Sequence, residues 1–259
     1  TFECKCGLNT IPLLNFDPQS GISFKLFYNI SKQFFTMDDL KYELQIPWVE
    51  SPFFEQLLPE KGTAEQQEFA RKYHDDGFVI VEKAIPHDLI DATIARIKAD
   101  AASQGNTQTL RWQQDLWRTI EGVKNMATDT KILDLLKYLY DREPVPFQTL
   151  NFNWGSEQEG HSDSIHFSSK PERFMCGVWV AMEDVHHKNG PLFYYPGSHR
   201  LPIYNLFDLG LTPDPGDNSQ YLRYERFLKD ILEVQGFEKK EVNMKNCLLY
   251  TSPSPRDLL

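Results

Sequence analysis

From Pro47 onward the apolar positions fall into short periodic runs. Thr63-Ala64-Glu65-Gln66 has the form of a capping box, with Gln66 three residues after the hydroxyl. It predicts a helix carrying Phe69 and Tyr73 on one face and stopping at Gly77. Phe78-Val79-Ile80-Val81 predicts a short buried strand, and Leu89, Ile90, Ile94 and Ile97 recur at helical spacing after Pro86. Further helices are predicted around 110–123, with a stripe of Trp112, Leu116 and Ile120, and 131–140, with Ile132, Leu136 and Leu139. Beyond Pro144 the period changes. Residues 147–154 alternate, Leu150, Phe152 and Trp154 on one face and Thr149, Asn151 and Asn153 on the other. Residues 174–183 are nearly continuous in apolar side chains, as in a strand buried on both faces. A strand at 192–195 lies between an Asn189-Gly190 turn signal and a Pro196-Gly197 turn, and Tyr221, Tyr224, Leu228 and Ile231 mark a last helix ending near Gly236. Helices first and strands later predict an α+β chain with an antiparallel sandwich or barrel core. Residues 1–45 show no clear period and are assigned no domain.

Composition narrows the partners. A chain of 259 residues, 41% hydrophobic and 25% charged, reads as one globular domain with an extension. No apolar run approaches the ~18 residues of a membrane span. A net charge of -10 turns the chain as a whole away from nucleic acid and anionic membrane surfaces. Cys4, Cys6, Cys176 and Cys247 have neither the number nor the spacing of a disulfide framework; reduced thiols fit a cytoplasmic protein. The chain begins at Thr1 with no charged-then-apolar leader, so the native start is expected elsewhere.

The candidate chemistry begins at His161-Ser162-Asp163. If these residues form a strand, residues i and i+2 share a face, so both side chains can reach one ion. An imidazole with a carboxylate suits Fe(II), whose 2-His-1-carboxylate triad leaves positions for a co-substrate and O2. Taken alone, the triplet reads more readily as a surface histidine beside an aspartate. It is followed, however, by Trp179-Val180-Ala181-Met182-Glu183-Asp184, then Asn189-Gly190-Pro191-Leu192, then Tyr195-Pro196-Gly197-Ser198-His199.

This ordered set resembles the phytanoyl-CoA dioxygenase family, whose members use Fe(II) and 2-oxoglutarate on a double-stranded β-helix. The resemblance runs from about Pro47 to Met244. It implies a jelly-roll or cupin-like core flanked by N-terminal helices, and a dioxygenase that spends 2-oxoglutarate and O2 to hydroxylate an unactivated C–H bond. It also implies that His161 and Asp163 are the first two iron ligands and that Trp179 lies near 2-oxoglutarate, although plain core packing explains Trp179 as well. His166 could contact co-substrate or substrate, or serve from a surface position. Asn151 and Thr149 could donate hydrogen bonds into the pocket, or be solvated. Pro196-Gly197-Ser198-His199 is expected to shape the rim, with His199 structural rather than a ligand. A cupin-like isomerase or lyase and a non-catalytic binding barrel stay open as alternatives.

The family pattern calls for a third iron ligand, a late histidine, followed by an arginine that pairs with the distal carboxylate of 2-oxoglutarate. No histidine follows His199. The chain instead reads Cys247-Leu248-Leu249-Tyr250-Thr251-Ser252-Pro253-Ser254-Pro255-Arg256-Asp257, which looks like one reading frame of a transposase sequencing adaptor. Two prolines there argue against a central barrel strand. The expected organisation is therefore an extension (1–45), an oxygenase domain lacking its last core strands (46–246) and a tail of foreign origin (247–259). Arg256 is not assigned the 2-oxoglutarate role. With two protein ligands the chain is expected to bind metal weakly and to be inactive alone.

Overall fold

The computed structural model describes residues 46–103, 112–152, 160–165, 169, 171–188, 191–212, 218–243 and 249–252. All of them lie in one compact unit, Met37–Leu259. Helices come first: α1 (Phe54–Leu57), α2 (Ala64–Asp76), α3 (His87–Ser103), α4 (Glu121–Ala127) and α5 (Thr130–Tyr140), with β1 (Val79–Val81) and β2 (Trp112–Gln114) set among them. There follow β3 (Leu150–Phe152), β4 (Gly177–Val180), β5 (Phe193–Tyr194), α6 (Ser219–Val234), β6 (Lys240–Glu241) and β7 (Leu249–Ser252). The chain is α+β, as its pattern predicts.

Local signals explain the best-defined helices. At the start of α2, Gln66 N–H donates to Thr63 Oγ1 at 3.3 Å while Thr63 N–H donates to Gln66 Oε1 at 2.9 Å, the reciprocal capping box. Its other end is Gly77, whose φ of +84° is reached by glycine at little cost. The Asp129 carboxylate caps α5 by accepting from the N–H groups of Lys131 and Ile132. Between them α2 and α5 bury Tyr73, Leu139 and Tyr140 against Trp48, Val49 and Phe54. Trp48 stacks on Phe54, and its Nε1 donates to the Tyr138 carbonyl at 2.8 Å.

The helix predicted around 110–123 is not formed. Residues Trp112–Gln114 are a strand, Leu116–Arg118 a single tight turn, and helix begins only at Glu121. The hinge is Asp115, which adopts φ +57°. Its N–H donates to the Thr149 carbonyl at 2.8 Å, and its Oδ1 accepts from Thr149 N–H and from Trp117 Nε1. Pairing with β3, far along the chain, overrides the local helical spacing.

The described strands form three small antiparallel sheets, in the orders β1-β7-β4, β2-β3 and β5-β6. No closed barrel is formed by the described strands. β7 lies in the middle of its sheet, with Thr251 facing Val79 on one side and Val178 on the other. The expectation from the sequence is of no central barrel strand here; β7 ends at Ser252 and is the middle of a three-stranded sheet, not of a closed barrel, among the described residues. β1 is less buried than its apolar run suggests, since Ile80 is exposed while Val79 is buried.

β4 organises the centre by strand alternation. Val178 and Val180 pack against Ala84, Ile85, Ile90, Met126 and Ile132, the helical side. Trp179 packs with Phe78, Ala181, Val185, Leu192 and Val242 on the other. Gly177 shares the face of Trp179. No helix among the described residues is long and apolar enough to cross a membrane.

Candidate metal half-site

His161 and Asp163 do converge, though not by strand alternation. Residues 160–162 are irregular and Asp163–Ile165 is one tight helical turn, closed by Ile165 N–H donating to the Ser162 carbonyl at 3.1 Å. The Ser162 and Ser164 hydroxyls pair at 2.8 Å beneath it. His161 Nε2 stands 3.6 Å from Asp163 Oδ1, with the histidine side chain 2% exposed and the aspartate 17%. A surface histidine would not be buried in this way.

The donor set fits one Fe(II) in part. Two donors each about 2.1 Å from an ion stand about 3–3.5 Å apart, so the observed spacing needs slight closing. Among the described residues no three His, Cys, Asp or Glu side chains come together as a metal cluster.

What surrounds the pair is specific. A Cβ built on Gly177 would meet Asp163 Oδ2 at 3.9 Å, an ordinary contact, which places the carboxylate over this end of β4. Trp179 lies two residues along on that face, which places it on the Asp163 side of the sheet while it also packs in the core. From α6, the ring of Tyr221 lies 6.1 Å from the His161 ring, tilted by 56°. Burial raises the Tyr221 phenol above its ordinary pKa; the Glu225 carboxylate, which accepts its hydrogen bond, adds to that, and Asp163 adds a smaller share. Glu225 is itself buried among Tyr224, Leu228 and Leu232. Tyr221 entered the sequence reading only as a helix marker; no local signal ties residue 221 to residue 161.

Thr149 and Asn151 stand on one face of the β2-β3 ribbon, and Gln113 faces Asn151 across it. Thr149 Oγ1, Asn151 Oδ1 and Gln113 Oε1 are buried with no hydrogen-bond partner among the described residues. Leu150, between the first two, is exposed. Thr149, Asn151 and Gln113 are half-buried, with these three oxygens turned away from solvent. Gln113 was missed because its stretch reads as helix. His166, Asn189 and Gly190 lie outside the described residues.

His199 is structural, as expected. Its ring is buried, with Nε2 on the His74 carbonyl at 3.0 Å. Gly197 N–H donates to the Asp76 carbonyl, and Arg200 reaches the His74 carbonyl and Asp75. Arg173 completes the clamp, donating to Glu50 Oε2 at 2.6 Å and to the carbonyls of His199 and Leu201. The Pro-Gly-Ser-His turn therefore fastens the strand half of the chain to the C-terminal end of α2.

The chain is similar to proteins of a known family. Residues 73–221 match the family model for phytanoyl-CoA dioxygenase (PhyH). The chain is 32% identical over 80 residues to phytanoyl-CoA dioxygenase domain-containing protein 1 of Danio rerio, covering 29% of this chain and 28% of that one. The same protein of Mus musculus is 30% identical over 80 residues, again 28% of its length. The aligned stretch thus spans little more than a quarter of these relatives. Among solved structures, EctD from S. alaskensis with bound Fe has a TM-score of 0.56 at 18% identity, covering 76% of this chain and 69% of that one. The epimerase SnoN in complex with Fe3+, alpha ketoglutarate and nogalamycin RO has a TM-score of 0.52 at 19% identity, covering 75% and 76%. At such identities these two likenesses speak to fold alone. The family match takes in the last four residues of α2, the His161–Asp163 turn, β4 and the first three residues of α6, and it spans more than half of the sequence; on that ground the chain belongs to the phytanoyl-CoA dioxygenase (PhyH) family.

Proposed function

We propose that this chain carries the iron-binding part of an Fe(II)- and 2-oxoglutarate-dependent dioxygenase that hydroxylates an unactivated C–H bond of a small molecule, on a double-stranded β-helix core. The observation that carries the reading is the buried His161 held beside Asp163. His161 and Asp163 would hold the iron as nitrogen and oxygen donors. Bound there, iron with 2-oxoglutarate and O2 supplies the oxidising power, while the protein orients the reactants and excludes water. Trp179, on the Asp163 face of β4, would wall the co-substrate. The orphaned polar atoms of Asn151 and Thr149 would bind co-substrate or substrate, and His166 would serve beside them. The protein acts in the cytoplasm in this reading. Residues 46–246 form the oxygenase domain and 247–259 a segment of other origin, which sequencing the gene from an independent DNA preparation tests.

The test of function is succinate release by the full-length gene product, with iron and 2-oxoglutarate each withheld in turn. Release that needs both, and is lost in His161→Ala, supports the reading. A cupin-like isomerase or lyase turns over without forming succinate, and a non-catalytic barrel binds its ligand unchanged after His161→Ala.

A further inference from the structure

A carboxylate on the inner face of an amphipathic helix is costly to bury unless it is bonded there. Glu225 occupies such a position on α6, in the stripe of Tyr224, Leu228 and Leu232. It accepts the hydroxyl of Tyr221, one helical turn earlier. The bond offsets the buried carboxylate, while α6, packed inward through Tyr224, Leu228 and Leu232, holds the ring in place. The held ring is the part of α6 that meets His161, at 6.1 Å between centroids and a 56° tilt, within the range of favourable aromatic pairs. His161 is thereby bounded on two sides: the Asp163 carboxylate at its Nε2 edge, and the phenol of Tyr221 against the ring. Tyr224, the next inward residue, anchors the helix by donating its hydroxyl to the Tyr204 carbonyl at 3.2 Å.

We propose that Tyr221 is a positioning residue for the metal-binding imidazole of His161. Its ring, packed against the imidazole at 6.1 Å between centroids, fixes the angle at which His161 presents Nε2 beside Asp163. The proposal rests on the reading that His161 and Asp163 bind metal. A partner that orients a ligating histidine contributes about 10–100-fold to metal affinity. Tyr221 does so with a ring face, so phenylalanine should largely replace it and an aliphatic residue should not.

The test uses the whole chain with labelled histidine, titrated with Co(II) and followed by paramagnetic broadening of the His161 ring resonances. Without metal, nuclear Overhauser contacts between the Tyr221 and His161 ring protons are expected in the unaltered protein. Their absence overturns the proposal with no variant needed. Tyr221→Leu is expected to weaken Co(II) binding about tenfold and Tyr221→Phe by no more than about twofold. Equal binding by the leucine variant and the unaltered protein, or equal losses in both variants, overturns the positioning role. Co(II) binding that survives His161→Ala and Asp163→Ala overturns the metal-site reading itself, a different outcome from either.

Discussion

The imidazole of His199 fills the volume that a side chain on Gly77 would need: a Cβ at Gly77 would sit 2.4 Å from His199 Nδ1. Gly77 also has a φ of +84°. Gly77→Ala therefore meets backbone strain and a steric clash together, and should cost about 2–4 kcal/mol. Urea unfolding measures it, and an unchanged midpoint would contradict the clamp. His199 is in this way committed to holding the turn at Gly197 against α2.

The Arg173–Glu50 pair should behave as a buried ion pair. The Glu50 side chain is 3% exposed and that of Arg173 22%. Arg173→Met removes the guanidinium that offsets a buried carboxylate, and should cost about 3–5 kcal/mol. Changing Glu50→Leu as well should recover part of that loss. Thermal melts of the single and double variants decide it, a double variant less stable than Arg173→Met being the contrary result.

Tyr73 and Tyr140 are fully buried, their hydroxyls 2.8 Å apart, with the Cys176 thiol 3.6 Å from Tyr73. Burial first, and the charge of Cys176 next, hold both phenols well above the ordinary tyrosine pKa. Folded, they stay neutral past the pH of about 10 at which an exposed tyrosine ionises. The unfolded chain releases its protons first, so the stability they contribute is full below about pH 10 and falls as pH rises above it. Denaturant midpoints measured across that range should drop steeply, and the slope should flatten in Tyr73→Phe/Tyr140→Phe. Equal slopes would remove these two residues from the account.

At Gly177 the size of the side chain should matter more than its presence. A Cβ there would make ordinary contact with Asp163 Oδ2, at 3.9 Å. Gly177→Ala should leave metal binding nearly unaltered, whereas Gly177→Leu should displace the carboxylate and abolish it while the chain stays folded. Co(II) titration with circular dichroism separates the two effects. Full binding by the leucine variant would show that Asp163 does not need that space.

What could be read in advance was written locally. The hydroxyl and amide that cap α2 lie three residues apart, and Gly77 ends the helix within the same stretch. His161 and Asp163 stand out through the ordered motifs that follow them rather than their spacing, and a tight turn rather than a strand brings them together. Residues 110–123 were misread because their partner, β3, lies more than thirty residues away and a helical stripe carries no sign of it. Gln113 and Tyr221 escaped for the same reason: each gains its meaning from a residue distant in sequence, Asn151 for one and His161 for the other.

The central claim is that His161 and Asp163 hold iron together with 2-oxoglutarate. Its most direct test is an anaerobic titration of the chain with millimolar Fe(II) and 2-oxoglutarate, followed by the visible charge-transfer absorption of the iron–co-substrate complex. The account predicts a band that grows with weak, non-stoichiometric saturation and is lost in both His161→Ala and Asp163→Ala. No band in the unaltered chain, or one that survives either substitution, would contradict it.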